Sequence, residues 1–353
     1  MGARYIYYLD GLTGVIKGGA ECSRYDLRRD IDFKDKSTAV VAERPKISND
    51  DIVVINEGKE SVFVGMVESI SAGKSPYTLN ILQKENLFDR TVFAEDENII
   101  RDAGMEDFIA WNITNRFIGG GDALFDKPFL HVSAETHTPI NTTVASTVNA
   151  ESGVYNFKTF LGNVLQYYGI GLVFTVLNGW VDVAVRKDPE AALLIDTRYT
   201  DIEGLEETYS VKVLAKLIVR WKNTSTEAIT DRTFYLQADR TITENASSTT
   251  RVSGTVESVY IEAESEADML QEVRNRFTSN TYDHSMTMNI PKGSRLYAPE
   301  DLYVGRKIRI KSGRTGLITE TMITRKEESS GNEIQKITMG RLPVTLVDKI
   351  RRL

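Results

Sequence analysis

The stretch from Pro291 to Val347 constrains the fold more than any other part of the sequence. It reads as short β-strands with no set of catalytic residue types in them. Val304, Lys307, Ile308, Arg309, Ile310 and Lys311 open an alternating run, and a Gly-bounded turn leads to a second run over Leu317 to Thr324. A polar hairpin tip, Glu327 to Asn332, precedes a third run, Ile334 to Gly340. Period-two alternation punctuated by Gly and Ser predicts a half-buried antiparallel meander. A small β-barrel of that kind serves assembly or binding more often than chemistry.

The first ninety-odd residues repeat the pattern. Strands are predicted over Arg4 to Leu9, Gly14 to Lys17, Ser37 to Ala42, Asp51 to Ile55, Ser61 to Ser71 and Tyr77 to Leu82, separated by Gly, Asn-Asp and Gly-Lys-Ser-Pro turns. Between the two ends the composition changes. Glu95, Asp96 and Glu97 suit a helix start, and Met105, Phe108, Ile109, Ile113 and Phe117 follow at helical spacing until Gly119 to Gly121. Phe157, Phe160, Leu161, Val164, Leu165 and Tyr168 form one apolar stripe with Asn156 as its cap. Leu172 to Leu177 and Val181 to Val185 flank Asn178-Gly179, the dipeptide a type I′ hairpin prefers. A long strand is predicted over Thr208 to Trp221 and another over Thr255 to Ala263. Ser265 and Asp268 then cap a helix with Met269, Leu270, Val273 and Phe277 on one face.

At 353 residues the chain exceeds one typical core. The expected fold class is α+β, mostly β, with two small β-barrel domains at the chain ends and two α+β domains between them. The segments are an N-terminal barrel over 1–94, an inserted α+β domain over 95–200, a second α+β domain over 201–289 and a C-terminal barrel over 290–353.

Charge and cysteine content narrow the function. The net charge of −7 argues against nucleic-acid binding by the whole chain. The single cysteine, Cys22, rules out an internal disulfide and a cysteine-based zinc site, as suits synthesis in a reducing compartment. The start, MGARYIYYLDG, enters a strand directly, so no leader is expected, and Ile6 stands where a myristoylation signal wants Ser or Thr. The apolar window from Tyr167 to Val176 is too short to cross a bilayer, so no membrane anchor is expected.

Chemical motifs are weak. Ala72-Gly73-Lys74-Ser75 lacks the Gly of a phosphate-binding loop, since Glu68 stands there, and Pro76 follows it. Gly169-x-Gly171 comes after a helix and lacks a third glycine. His131, Glu135 and His137 would share one strand face but offer only two imidazoles and a carboxylate, so no metal and no cofactor are expected. His284 beside Asp283 has no nucleophile motif around it. Glu206-Glu207 and Asp50-Asp51 lack the Trp-rich cleft of a glycosidase; the tryptophans are Trp111, Trp180 and Trp221. The C-terminal segment is locally basic, and Lys307, Arg309 and Lys311 fall on one strand face. That face reads as a solvated edge, as a contact with the acidic middle block of a neighbouring subunit, or as a contact with a nucleic-acid backbone. The subunit contact is favoured, because the aromatic interleaving of single-strand binders is missing.

The residues that carry a resemblance are RVSGTVESVYIEAESEADMLQEVRNRF, the following IPKGSRLYAPEDLYVGRKIRIKSGRTGLITETMITRKEESSGNEIQKITMGRLP, and the early strand SVFVGMVESI. They resemble siphophage tail-hub proteins, also called tail-associated or baseplate hub proteins, which are similar in plan to the hub of contractile tails. Tyr155 to Val185 looks like their inserted α+β domain. Nothing after Leu353 corresponds to the fibre or peptidase extension of many members, so a short, closing form is expected.

The resemblance implies a homotrimer in a virion tail tip, synthesised in the host cytoplasm, with two barrels per chain building a pseudo-sixfold ring. Its implied partners are a hexameric distal tail protein, the tape-measure protein, receptor-binding proteins of the baseplate and DNA passing through the lumen. The ring would cap the tube and open for release. No enzymatic activity is expected. The strands Ser61 to Ile70 and Val304 to Lys311 are the expected contact surfaces, with Phe63, Gly65, Val67, Lys307, Arg309 and Lys311 as the contact residues. Two alternatives stay open. One is a tail-borne cell-wall hydrolase using His131, Glu135 or His284; the other is a carbohydrate-binding host-recognition protein using Asn141 to Asn149 and Thr241 to Thr250.

Overall fold

The computed structural model of the chain describes residues 3–48, 50–72, 76–93, 99–100, 104–139, 142–143, 154–188, 191–199, 201–209, 214–237, 241–279, 284–311 and 318–340. It is mostly β with three α-helices among those residues, an α+β fold, and it packs as two compact units. One comprises Met1–Leu205 and Thr287–Met339; the other is built on Glu206–Met286. The four segments expected from composition are a finer division, and strands of the first and last of them lie in one sheet.

The first unit opens with β1 (Arg4–Leu9), β2 (Ile16–Asp30), β3 (Ser37–Val41), β4 (Ile52–Glu57), β5 (Glu60–Ala72) and β6 (Tyr77–Gln83). Neighbours pair in the order β1-β4-β5-β6-β3-β2, and β1 also pairs β2, so the six strands close into a ring. Alternate residues point inward, as the period of two demands. Ile6, Tyr8, Leu27, Ala39, Val41, Val53, Ile55, Leu79 and Ile81 fill the centre together with the lone Cys22. The turn at Gly73 to Ser75 lies outside the described residues.

A 3-10 turn at Lys84–Phe88 leads to β7 (Thr91–Phe93) and β8 (Ile99–Ile100). Glu95 to Glu97 lie outside the described residues; the helix α1 (Met105–Ile113) has Gly104 before it and Glu106 and Asp107 in its first turn. It buries Met105, Ile109 and Ile113, and a π-turn over Thr114–Ile118 buries Phe117. Next come β9 (Leu130–Ala134), β10 (Thr142–Thr143) and β11 (Val154–Asn156).

Helix α2 (Phe157–Tyr168) forms as its stripe predicts. The Asn156 side chain accepts from Thr159 N at 2.9 Å, and Gly169 at φ 70° ends the helix in the left-handed conformation that glycine adopts without strain. Phe157 and Phe160 pack with Tyr155, Phe117 and Phe88. β12 (Ile170–Leu177) and β13 (Trp180–Lys187) pair as a hairpin around Asn178-Gly179, and β13 pairs β9 in parallel. β14 (Leu193–Asp196) completes this run.

β15 (Glu203–Tyr209) follows, and the second unit then contains β16 (Leu214–Asn223), β17 (Ile229–Leu236), β18 (Ile242–Thr243), β19 (Thr255–Ala263) and α3 (Glu266–Ser279). The sheet order is β18-β17-β16-β19, with β16 and β19 parallel. The Ser265–Asp268 capping box forms: Asp268 N donates to Ser265 Oγ at 3.2 Å. Met269, Val273 and Phe277 pack on Leu217, Val219, Phe234 and Ile261.

The chain returns to the first unit through β20 (His284–Pro291), β21 (Lys307–Lys311), β22 (Ile318–Ser329) and β23 (Ile334–Gly340). They pair with one another, β21 and β23 flanking β22 and β20 lying next to β23, but among the described residues they do not close into a ring of their own. They extend the ring's sheet through β2–β22, with Asp26 opposite Ser329 and Asp30 opposite Arg325. A 12-residue strand can serve two partners, and β22 gives its first half to β21 and its second half to β2 and β23. The expected hairpin tip at Glu327 to Asn332 is therefore corrected: Glu327, Glu328 and Ser329 lie in β22, paired with β2.

Candidate interaction surface

The basic strand face exists as expected. β21 lies between β14 and β22, burying Ile308 and Ile310 at 0 % and 2 % exposure and turning Lys307, Arg309 and Lys311 outward. Arg309 stands opposite Leu194, which is 50 % exposed, and reaches Glu320 at 3.6 Å. Lys311 lies 4.0 Å from Asp196. Arg198 grips the same carboxylate with two hydrogen bonds of 2.9 and 2.6 Å and, as the main cause, holds Asp196 down at about 2. Lys307, Arg309, Lys311 and Arg198 thus face Asp196 and Glu320, which leaves the surface net positive.

Phe63, Gly65 and Val67 are placed differently. β5 points them into the ring, with Phe63 and Val67 only 4 % and 2 % exposed. A Cβ on Gly65 would stand 2.4 Å from Leu82 O and 2.6 Å from the Phe63 ring. Core packing uses the Phe63 and Val67 side chains and the close approach at Gly65, while Val62, Val64 and Met66 are the half-exposed residues of that strand.

Between the ring and the C-terminal strands runs a charged seam. Arg29 meets Glu328 at 2.6 Å and covers the Phe63 ring, while Lys326 Nζ donates to Pro299 O at 2.9 Å and lies 4.0 Å from Glu328. Burial pushes the Lys326 amine down to about 8, and its nearest carboxylate only partly offsets that. Arg4 joins the same seam through Glu57 at 3.0 Å and Ser330 O at 2.8 Å. The seam joins strands; it offers no open site.

The residues weighed for catalysis are engaged elsewhere. His131 stacks on Trp180 with ring centroids 3.3 Å apart, Glu135 pairs with Arg186 at 3.5 Å, and His137 Nδ1 lies 2.6 Å from Asp107. The Asp107 contact raises the His137 imidazole above its ordinary value. Glu106, fully buried, accepts from Thr136 Oγ1, Thr138 N and Thr138 Oγ1, each at 2.7 Å, which pins the segment carrying His137 onto α1. Asp51 is buried and accepts from Gly11 N and Lys17 Nζ, a structural role. Among the described residues no group of three or more His, Cys, Asp or Glu is placed to hold a metal ion. The side chain of His284 and most of Asn141 to Asn149 lie outside the described residues. Within Thr241 to Thr250, Thr241, Ser248 and Thr250 hydrogen-bond to Gln237.

Sequence reasoning missed an apolar end of the first unit. Leu12 and Val15 in the β1–β2 turn, Leu124 and Phe125 in the loop after α1, and Leu177 and Trp180 at the β12–β13 tip are all exposed, Leu124 at 74 %. Gly179 N donates to Gly14 O and Ile16 N to Asn178 Oδ1, both at 2.9 Å, and Lys127 Nζ reaches Gly11 O at 3.3 Å. Three separate segments are thereby held side by side. The signal available beforehand was apolar residues in Gly- and Asp-rich turns, where solvated loops have no use for them.

No protein-family model matches the sequence, and no curated protein matches it. Solved structures do. A tail protein from Neisseria meningitidis MC58 superposes with a TM-score of 0.53 at 12 % identity, covering 99 % of each chain. A chain of the phage P2 baseplate in its activated conformation with Ca gives 0.59 at 9 % identity, over 96 % of this chain and 99 % of that one. A second account of the p2 virion baseplate in its activated conformation gives 0.58 at 8 % identity over the same shares. With the ring, the charged seam and the inserted helix-and-hairpin region all inside that span, this chain has the fold of phage tail and baseplate proteins.

Proposed function

We propose that the chain is a structural component of a phage tail tip, a homotrimeric hub that continues and closes the distal end of the tail tube. The observation that supports this reading is the extent of the likeness: a baseplate chain shares the fold over 96 % of this chain and 99 % of its own length.

In this reading each chain contributes two β surfaces to a pseudo-sixfold ring, one from the closed ring of 1–94 and one from the strands of 290–353. The trimer seats on a hexameric distal tail protein, carries receptor-binding proteins, and opens to release the tape-measure protein and DNA. It resides in the virion after synthesis in the host cytoplasm. A six-fold tube can end in three chains when each presents two equivalent elements, because closed symmetry is then preserved.

Light scattering on the full chain, coupled to size exclusion, tests the reading. Three chains per particle at micromolar concentration are expected. A strict monomer with no added partner overturns it.

A further inference from the structure

We propose that copies of this chain meet head to tail, the apolar end at Leu124 and Phe125 of one copy seating on the Leu194–Arg309 face of the next. The proposal rests on the trimeric reading above and names the surfaces through which the trimer forms.

Two surfaces of the first unit carry exposed large apolar side chains with opposite charge around them. At one, Leu124, Phe125 and Leu177 are 74 %, 59 % and 58 % exposed. They project from segments fixed to each other by the hydrogen bonds at Gly14, Asn178 and Gly11. Leu12, Leu124 and Phe125 also line a cavity of about 600 Å³ that opens at this end. The carboxylates there are Asp10, Asp50, Asp51 and Asp89 in the cavity wall, Asp122 before Leu124, and Asp182, which accepts from Trp180 Nε1; Lys17, Arg90, Lys127 and Lys158, which pairs with Asp89, are the cations. Carboxylates outnumber cations.

At the other surface, Leu194, Tyr199 and Leu296 are 50 %, 49 % and 53 % exposed. Tyr199 N donates to Asp196 O, and Tyr297 Oη accepts from Asp196 N, which brings the Leu296 loop beside β14. The charges there are Lys307, Arg309, Lys311, Arg198 and Arg295 against Asp196, Glu320 and Asp201, which accepts from Ser294 Oγ; cations prevail.

Apolar centres with charged rims are the anatomy of protein contacts. The sign of the rims selects the symmetry. A two-fold contact would set acid against acid at the first surface or base against base at the second, which costs energy at every encounter. Pairing the first surface with the second sets acid against base. A contact between two different patches of one chain closes into a ring when the rotation permits. A second copy is thus the occupant that satisfies both surfaces at once.

Two single variants of the full chain, Phe125→Cys and Leu194→Cys, test this with a short bismaleimide linker. Cys22 is 2 % exposed, so the introduced thiols are the ones that react. Both replaced side chains are in solvent, so folding is not at stake. Cross-linking is expected when the two variants are mixed and allowed to exchange, and not within either variant by itself. Phe125→Glu is expected to weaken self-association at least about tenfold. Self-linking of either variant means a two-fold contact and overturns the proposal. A trimer by light scattering that gives no mixed cross-link overturns these surfaces while leaving the hub reading standing. A monomer throughout removes both.

Discussion

Replacing Lys326 with methionine isolates the electrostatics of the seam between the ring and the C-terminal strands. The residue is 7 % exposed, and burial lowers its pKa from 10.5 to about 8. That shift corresponds to about 3 kcal/mol by which the fold disfavours the charged amine. Methionine fills similar volume without charge and forfeits one hydrogen bond, Nζ to Pro299 O, worth about 1 kcal/mol. Glu328 keeps Arg29 at 2.6 Å, so no uncompensated carboxylate is left behind. The variant is expected to be about 2 kcal/mol more stable than the parent at pH 7.

The sign of the pH dependence follows. The folded-state pKa lies below the unfolded one, so between pH 8 and 10.5 the unfolded chain binds more protons and the parent gains stability as pH rises. The variant lacks this gain, and its advantage shrinks to about zero near pH 9.5. Tyr8, Tyr25 and Cys22, whose raised pKa values come chiefly from burial, lower stability at alkaline pH in both proteins and cancel in the difference. Urea denaturation in a Trp221→Phe background reads the first unit alone, since Trp111 and Trp180 lie there and Trp221 in the second unit. A variant no more stable at pH 7, or a difference constant from pH 7 to 9.5, refutes the reasoning.

Gly65→Ala is expected to cost about 3 kcal/mol, because the new Cβ meets backbone oxygen and a packed ring inside the closed ring of strands; an unchanged denaturation midpoint would contradict it. His137 is expected to titrate above 6.5 by NMR, because its hydrogen bond to Asp107 favours the imidazolium. The stability it contributes is fully present below pH 6.5 and is lost as pH rises through its folded-state value. Asp107→Asn returns it to the ordinary range, and an identical titration in that variant would contradict the assignment.

Elements specified by neighbours in sequence were legible beforehand. The α2 stripe with Asn156, the Asn178-Gly179 hairpin and the Ser265–Asp268 box each rest on contacts a few residues apart, where residue type and conformation are tightly linked. The seam was not legible. Glu327 and Glu328 read as part of a polar hairpin tip, yet together with Arg325 and Lys326 they pair with Leu27 to Asp30 about three hundred positions away. Charge sequences say nothing of a partner so distant. β2 was foreshortened to Gly14–Lys17 for a related reason: Gly18 to Asp30 is rich in glycine and charge, which suits a strand shared among β1, β3 and β22 but breaks the apolar alternation. At the candidate surface, the outward face of β21 was correct because Lys307, Arg309 and Lys311 alternate with isoleucines. On β5 the same alternation places Phe63 and Val67 inward, among the core residues of the ring.

The shared edge of β2 also shapes how the polypeptide is made. During translation β1 can cover residues 16 to 21 of β2 at once, whereas residues 26 to 30 wait for β22 to leave the ribosome. Until then the nascent ring carries a bare strand margin, the kind of template on which chains stick together. Asp26, Arg28, Arg29 and Asp30 occupy that margin, and their charges repel stray strands until the complementary Arg325-Lys326-Glu327-Glu328 arrives. The strand that seals this edge of β2 thus arrives about three hundred residues after β2 itself.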